Sequence, residues 1–413
     1  MTLNSGDVSW MLTSSALVLI MTPGLAFFYG GLVKRKNIIN TIMSSVILMG
    51  IASLLWVFIG FTLSFHGDTG GIIGDLKWFG MSFDTLKDIT YPYPNTLGFA
   101  IFQMMFAIIT PALITGAIAE RMKFGALVIF TTVWSIIVYY PLAHMVWGGG
   151  LIFQFGAVDF AGGDVVHISS GVSALVLAIL LGKRKNFGKA TYHPHNVPFV
   201  LLGAALLWFG WFGFNAGSAL AANGLAIHAF MTTNTAAAAA LVSWLVIEVV
   251  KNGKPTLVGA STGLVIGLVA ITPGAGFVPV WAAIIIGALV SPICYFFISV
   301  VKPKFGYDDA LDVFGCHGIG GIWGGVATGL FAQTSINSAA QWNGLVFGDI
   351  NLFVRQLAAI GLTIVIAVAG TLIAAGIAKL VAGSLKVAAK SEDMGLDSAE
   401  HGETAYPAFN GMD

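Results

Sequence analysis

Three histidines of this 413-residue chain, His144, His167 and His317, lie within long apolar stretches. Four carboxylates flank those stretches: Asp159, Asp164, Glu120 and Asp312. An imidazole in apolar surroundings can ligate a metal or haem, relay a proton, or bind a polar molecule through its ring nitrogens. A lone histidine of this kind more commonly makes a hydrogen bond between helices, and that is the interpretation we favour for His144.

His167 and His317 occupy similar contexts, so three kinds of site compete for them. A metal site requires further ligands, and Cys316 is expected to point to a different helix face from His317. Haem-binding membrane proteins usually carry two histidine pairs or a fuller set on facing helices. A polar lining for the path of a small molecule therefore remains the favoured alternative, and neither a metal nor a cofactor is expected.

The composition decides where these residues lie. Hydrophobic residues make up 57% of the chain and charged residues only 9%, whereas an ordinary soluble domain is about 25% charged. This excludes a soluble enzyme, a nucleic-acid binder and a disordered scaffold. The chain is predicted to be an all-α polytopic membrane protein.

Membrane spans are counted from the stretches without Asp, Glu, Lys or Arg. These are 8–33, 37–67, 89–119, 124–158, 165–182, 190–247, 255–301, 313–348 and 356–378. Two of them exceed one span and contain turn signals, at 221–224 and 272–276. The prediction is eleven transmembrane helices, the first retained because no basic segment or small-residue cleavage site precedes Lys34.

Basic residues predict the orientation. Sixteen Lys and Arg residues lie in the loops after odd-numbered helices or in the C-terminal segment, and only three lie in the loops on the other side of the membrane. Because basic residues are enriched on the cytoplasmic side, this predicts the N-out/C-in orientation. The second set of five helices would cross the membrane in the opposite direction to the first set. This predicts a 5+5 inverted repeat, with an eleventh helix added. Asp164 before His167 and Asp312 before His317 are interpreted as an echo of that repeat. Residues 1–383 are predicted to form the transmembrane domain, 66–96 an outer loop with Asp68, Asp75, Asp84 and Asp88, and 384–413 a cytoplasmic tail.

Aromatic residues near the predicted outer end suggest cation chemistry. Trp147 ends helix 4, where its π face could meet an incoming cation. Phe106 and Phe214 could close a path beneath it. Interface anchoring or packing is the ordinary alternative for each of these residues.

Five long motifs then resemble the ammonium transporter (Amt/Mep/Rh) superfamily. They are 102–121 (FQMMFAIITP to GAIAER), 144–150 (HMVWGGG), 159–168 (DFAGGDVVHI), 211–218 (WFGFNAGS) and 312–318 (DVFGCHG). The resemblance implies an outer cation site at Trp147, Ser218 and Phe106, a phenyl gate of Phe106 and Phe214, and pore histidines His167 and His317. It implies that Asp159 shapes the outer site, and the presence of Trp147 with Ser218 favours the Amt branch.

The same resemblance implies a homotrimer in the cell inner (plasma) membrane, with a pore in each subunit. The tail around Gly395 and His401 resembles a regulatory tail that contacts the pore's inner face and a PII-type signal protein. Asp164 departs from the family pattern. It is expected to cap helix 5 through its side chain, or alternatively to add negative potential at the outer mouth.

The chemistry of ammonium fits such a pore. An unpaired charge in a dry path costs several kcal/mol even after relaxation. Deprotonation near the gate, conduction of neutral ammonia and a separate proton route avoid that cost. Potassium cannot be deprotonated and is excluded. Two alternatives remain open, a passive ammonia gas channel of Rh type and an ammonium sensor that signals through its tail.

Overall fold

The computed structural model describes residues 4–82, 96–185, 187–189 and 192–406. Part of the predicted outer loop, including Asp84, Lys87 and Asp88, lies outside the described residues, as does the end of the tail beyond Tyr406. The part that is described is helical and contains no β-strand, only two isolated bridges. The predicted all-α membrane fold is confirmed.

The long helices run as follows in chain order. They are α1 (Ser5–Leu32), α2 (Arg35–Phe65), α3 (Leu97–Ile118), α4 (Phe124–Gln154), α5 (Gly163–Leu181), α6 (Val197–Gly217), α7 (Gly224–Asn252), α8 (Leu257–Ile271), α9 (Val280–Phe305), α10 (314–331) and α11 (Asn351–Ala382). Among the described residues, nine of these are long and apolar enough to cross a membrane. The shorter helices α8 and α10 occupy the positions predicted for the eighth and tenth spans. The count of eleven spans and the N-out/C-in orientation remain predictions.

The predicted breaks within the two longest apolar stretches are present. Helix α6 ends at Gly217 and α7 begins at Gly224, where the Asn223 side chain accepts a hydrogen bond from the Ala226 amide at 3.1 Å. Helix α8 ends at Ile271, directly before the predicted turn. Asparagine, glycine and proline therefore mark helix ends here despite continuous apolar sequence.

The histidine-bearing helices α5 and α10 cross closely through glycines. A Cβ atom on Gly171 would lie 2.1 Å from the Gly318 backbone nitrogen, so only glycine permits this approach. Each helix opens with a π turn, Gly163–Ile168 in α5 and Phe314–Gly318 in α10. These two turns carry His167 and His317, and the crossing brings them together.

The tail folds back onto the end of the bundle where α2 and α4 begin. Neither helix has a side-chain cap from its own N-cap residue. Instead, the Asp397 carboxylate accepts a hydrogen bond from the backbone N–H of Asn40 at 2.9 Å. The Glu400 carboxylate accepts one from the backbone N–H of Phe124 at 2.9 Å. Carboxylates are favourable at helix N-termini, so the tail stabilises both of these helix starts.

Candidate functional site

The end of the bundle that carries Trp147, here called the outer end, contains a cavity of about 240 Å³. Trp147, Ser218, Phe106 and Asp159 all line this outer cavity. Four residues distant in sequence, all predicted from the aromatic pattern or the resemblance, are thus brought together. Gln103 lines the same cavity, and nothing in the sequence analysis had singled it out.

Hydrogen bonds hold the walls of the outer cavity. The Trp147 indole Nε1 donates to the Asp159 carbonyl oxygen at 2.9 Å, which orients the ring. The Ser218 hydroxyl donates to the Phe214 carbonyl oxygen at 2.8 Å, so the lone pairs of Ser218 Oγ remain able to accept. A π face and a hydroxyl acceptor suit a small cation that carries N–H donors.

Asp159 has a structural task within this wall. Its carboxylate is buried and accepts from the amides of Gly162, Gly163 and Asp164 at 2.7–2.8 Å. Both of its oxygens are therefore engaged by the backbone at the start of α5. The residue shapes the site through this cap and through its carbonyl bond to Trp147.

The expectation that Asp164 caps α5 is wrong. The turn at Gly162, where φ is +125°, directs the first amides of α5 towards Asp159 instead. Asp164 is buried next to Thr363 of α11, its Oδ1 atom has no hydrogen-bond partner, and it does not line the outer cavity. Asp164, the residue that departs from the family pattern, thus lies where α5 contacts α11.

Two phenyl rings lie between the outer cavity and the interior, with Phe106 lining the outer cavity and Phe214 lining a smaller cavity beside the histidines. The ring centroids of Phe106 and Phe214 lie 4.2 Å apart with an interplanar angle of 33°, and both side chains are buried. Phe106 also meets Trp147 edge-on at 6.0 Å. This phenyl pair separates the outer cavity from the interior.

His167 and His317 meet beyond the phenyl pair. Their Nδ1 atoms are 3.3 Å apart and their rings are nearly parallel at 25°, although 150 residues separate them in sequence. His167 also stacks on Trp211, whose indole nitrogen is held by Thr272 Oγ1 at 2.9 Å. Trp211 was not among the candidate residues, because its position against His167 depends on how α6 packs on α5.

The histidine pair borders a cavity of only about 10 Å³, otherwise lined mostly by apolar side chains. A volume of this size holds about one molecule of the size of water. The outer cavity with its hydrogen-bond acceptors is thus followed, beyond the phenyl pair, by a small and mostly apolar cavity beside two imidazoles.

The opposite end, here called the inner end, repeats the capping arrangement of the outer end. Asp309 is buried and accepts from the Val313 and Phe314 amides at 3.1 and 2.8 Å. Burial raises the pKa of Asp309 to about 6. Asp309 precedes His317 by eight residues, as Asp159 precedes His167. This equal spacing is a second correspondence between the two histidine-bearing helices, in addition to the predicted echo of Asp164 and Asp312, and the inverted repeat remains a prediction.

A third cavity, of about 180 Å³, lies at the inner end. Among the residues that line it are Cys316, Asp312, Glu120 and Arg184. Asp312 pairs with Lys302 at 2.5 Å, outside the histidine pair. Both flanking carboxylates, Asp312 and Glu120, therefore belong to this inner cavity.

Arg184 anchors the inner end. Its guanidinium contacts Asp308 at 2.8 Å and Glu120 at 3.1 Å, and all three side chains are buried. Burial raises the pKa of both carboxyls, but the Arg184 charge and further hydrogen bonds outweigh it, so both pKa values lie below the usual range. Both carboxylates are thereby stabilised in their charged form.

His144 lies apart from the histidine pair. Its Nδ1 contacts the Ser64 carbonyl oxygen and its Nε2 contacts Asp68 Oδ1, each at 3.1 Å. The interpretation as a hydrogen bond between helices matches this geometry. Within the residues that the structure describes, no group of three or more His, Cys, Asp or Glu is placed to hold a metal ion.

Comparison with known proteins identifies one protein family. The model of the Ammonium Transporter Family matches residues 9–406. The ammonium transporter of Bacillus subtilis is 52% identical over 404 residues, covering 97% of this chain and 98% of that protein. Ammonium transporter Amt1 of Archaeoglobus fulgidus is 46% identical over 405 residues, covering 98% of this chain and all of that protein.

Solved structures agree with the sequence relatives. The crystal structure of Saccharomyces cerevisiae Mep2 superposes with a TM-score of 0.86 at 34% identity, covering 94% of this chain and 91% of that chain. A structure described as a sensor Amt protein superposes with a TM-score of 0.87 at 28% identity, covering 96% and 98% of the two chains. The fold, the motifs and these matches place the chain in one family, and it belongs to the Ammonium Transporter Family.

Proposed function

We propose that this protein transports ammonium across the cell inner (plasma) membrane, recruiting the cation in the outer cavity and conducting ammonia past the histidine pair. The proposal is supported by one observation above all. The cavity that offers Trp147 and Ser218 to a cation is followed by the phenyl pair and a space of about 10 Å³. A cation can be bound at the first position and has few partners at the second.

Magnitudes favour deprotonation between these positions. A cation–π contact contributes about 0.5–2 kcal/mol, and a hydrogen bond from a charged donor to Ser218 about 1.5–3 kcal/mol. These gains bind ammonium at the mouth, but the effective penalty for a buried ion is several kcal/mol and continues along the dry segment. Ammonium loses a proton near the phenyl pair, the proton passes to the route along the histidine pair, and neutral ammonia crosses the apolar segment without that penalty.

The histidine pair then serves ammonia and the proton in different ways. At 3.3 Å, one Nδ1 atom donates and the other accepts, so the two rings share a proton and titrate as a unit. A neutral pair of this kind hydrogen-bonds ammonia and relays a proton by exchange of tautomers. Asp159 contributes by holding Trp147 and the start of α5 in place.

The assembly and partners follow from the same proposal. The protein forms a homotrimer with one pore in each subunit, and residues 1–383 form its transmembrane domain. The tail from residue 384 binds a PII-type signal protein at the inner end. Asp397 and Glu400 support this regulatory role because they connect the tail to the starts of α2 and α4.

Current measurement on the purified protein in liposomes tests the transport proposal. Ammonium and, more weakly, methylammonium are expected to give saturable currents, and potassium none. Ammonia flux without any current would instead indicate a passive gas channel. Binding at the outer cavity with neither current nor flux would indicate a sensor.

A further inference from the structure

A fourth cavity, of about 530 Å³, lies at the inner end, and no residue of the proposed pathway lines it. The last turns of α5 and α9 and the first turn of α10 form its wall, which includes Leu175, Ile179, Phe305 and Phe314. Ile179 and Phe305 are 60% and 73% exposed, so the described part of the chain leaves this wall uncovered. The volume is within the range of about 300–1,000 Å³ that is typical of ligand pockets. The cavity can therefore hold a ligand that comes from outside the chain.

This cavity lies at the level where two predicted membrane spans end. Helix α5 ends at Leu181 and is followed by the basic segment 183–185, and α9 ends at Phe305. Tyr307, which also lines the cavity, is half-buried and meets the Phe314 ring edge-on at 6.4 Å. Tyrosine is enriched where a membrane meets water, because its ring is apolar and its hydroxyl is polar. The apolar wall is thus placed at the depth of lipid chains, and the polar rim at the depth of headgroups.

The polar rim carries a positive charge without a carboxylate partner. A Cβ atom on Gly306, which lines the cavity, would lie 3.3 Å from Lys183 Nζ. Within the described residues, this Nζ atom makes no ion pair, and its contact is with the Phe187 ring, at 5.5 Å from the centroid. Other cations of the inner end are paired with carboxylates: Lys34 and Arg184 with Glu120, Lys185 with Asp393, Lys302 with Asp312, and Lys386 with Glu392. Lys183 therefore remains able to pair with an anion.

The carboxylate that lines this cavity does not neutralise Lys183. Asp308 is buried, and both of its oxygens are engaged by Arg184. Oδ1 accepts from Arg184 Nη2 and Oδ2 from the Arg184 backbone N–H, each at 2.8 Å. The cavity thus combines an unneutralised cation at its rim with an uncovered apolar wall, and an anionic amphiphile complements both.

We propose that this cavity binds an anionic phospholipid of the inner leaflet. The headgroup phosphate pairs with Lys183, and an acyl chain lies along Ile179 and Phe305. Anionic lipids give the cytoplasmic leaflet a negative surface potential, and basic pockets between membrane helices bind their headgroups. A free phosphate ion would leave the apolar wall unused, and a zwitterionic lipid brings its own cation next to the phosphate. This site does not depend on the transport function proposed above.

Lipid quenching of a fluorophore tests the proposal at the cavity itself. Leu180→Cys provides the labelling position, because Leu180 is 46% exposed, follows Ile179 and does not line the cavity. The native residues Cys294 and Cys316 are buried and do not compete for the label. In liposomes of phosphatidylcholine and phosphatidylglycerol, one lipid or the other is brominated, and each quenches the label that it reaches. Phosphatidylglycerol is expected to be preferred roughly fivefold, the effect of one lysine near an anionic surface.

Lys183→Gln is expected to reduce this preference to about one, since the substitution removes the charge and keeps a polar side chain of similar reach. Lys254→Gln is the matched control, because Lys254 is also an exposed lysine of the inner end but does not line the cavity. It is expected to leave the preference unchanged. A label at Val365→Cys, an exposed apolar position on α11, is expected to show little preference for either lipid.

Five results would overturn the proposal. Equal quenching by both lipids at the Leu180→Cys label would assign the cavity to unselective lipid contact. A preference that survives Lys183→Gln, or that Lys254→Gln removes equally, would assign it to the general surface charge. Loss of the preference on adding inorganic phosphate, but not chloride at the same ionic strength, would identify a soluble anion as the ligand. Absence of quenching by either lipid would show that a neighbouring subunit or another protein covers the cavity.

Discussion

Replacing His167 with aspartate exchanges an imidazole for a carboxylate beside the small cavity that lies between the phenyl pair and His317. The replaced ring borders a cavity of about 10 Å³, with His317 Nδ1 at 3.3 Å and Trp211 stacked on the other side. Aspartate is smaller, so the cavity widens as it gains a negative charge. We expect this variant to admit intact cations and to lose discrimination between ammonium and potassium.

The magnitude follows from electrostatics in a partly dry segment. A unit charge about 4 Å from a carboxylate gains about 4 kcal/mol at an effective dielectric constant of about 20. That is comparable to the effective penalty of several kcal/mol for a buried ion, so the barrier to potassium largely disappears. At about 1.4 kcal/mol per tenfold, the selectivity is expected to fall by up to roughly a thousandfold.

His167→Asn is the matched control because asparagine has the shape of aspartate without its charge. In liposomes under a potassium gradient, His167→Asp is expected to conduct potassium, whereas His167→Asn is expected to conduct neither ion well. Potassium exclusion at the wild-type level by His167→Asp, with ammonium current intact, would refute the reasoning. The histidine pair would then not be what enforces deprotonation.

Three further predictions concern the outer cavity, the tail and the inner end. Trp147→Leu should weaken apparent ammonium affinity by up to roughly thirtyfold, since a cation–π contact is worth about 0.5–2 kcal/mol, with less effect on maximal current. An unchanged concentration dependence in the current assay would leave Trp147 as an interface anchor. Truncation after Gly383 should preserve the trimer in native mass measurement but abolish binding of a PII-type protein, and pull-down of that protein by the truncated chain would contradict this. Arg184→Met should destabilise the protein by about 3–5 kcal/mol at pH 7, because Glu120 and Asp308 would lose the buried guanidinium that pairs with both of them, and Lys34 at 3.6 Å from Glu120 replaces only part of that interaction. The contribution of these ion pairs to wild-type stability is present above the ordinary carboxyl pKa of about 4 and is lost as the pH falls below it, through the lowered pKa values of Glu120 and Asp308. The difference in thermal stability between wild type and Arg184→Met should therefore shrink near pH 3. A difference that does not depend on pH would contradict the charge argument.

The sequence by itself determined the fold class and the two breaks within the longest apolar stretches. Apolar stretch length reports membrane insertion because backbone groups in lipid must bond within their own helix. The Asn223 cap and the turn after Ile271 were readable because helix termination depends on a few adjacent residues. The candidate site residues followed from motifs and from the resemblance.

Tertiary structure decided which groups touch one another. Asp164 lies in the first turn of α5 and was expected to cap it, but the backbone turn at Gly162 directs the first amides of α5 to Asp159 instead. The Asp397 carboxylate caps a helix that begins more than 350 residues earlier in the chain. Contacts of this kind depend on how whole helices pack, which no short stretch of sequence encodes.

The same distinction between residue identity and helix packing applies to the candidate site. His167 and His317 could be chosen from sequence as a pair, because ionisable residues are rare within apolar spans. Their 3.3 Å contact required the glycine crossing of α5 and α10, which is visible only once the helices are packed. Residue chemistry is a local property, whereas distance and hydrogen-bond satisfaction are properties of the assembled bundle.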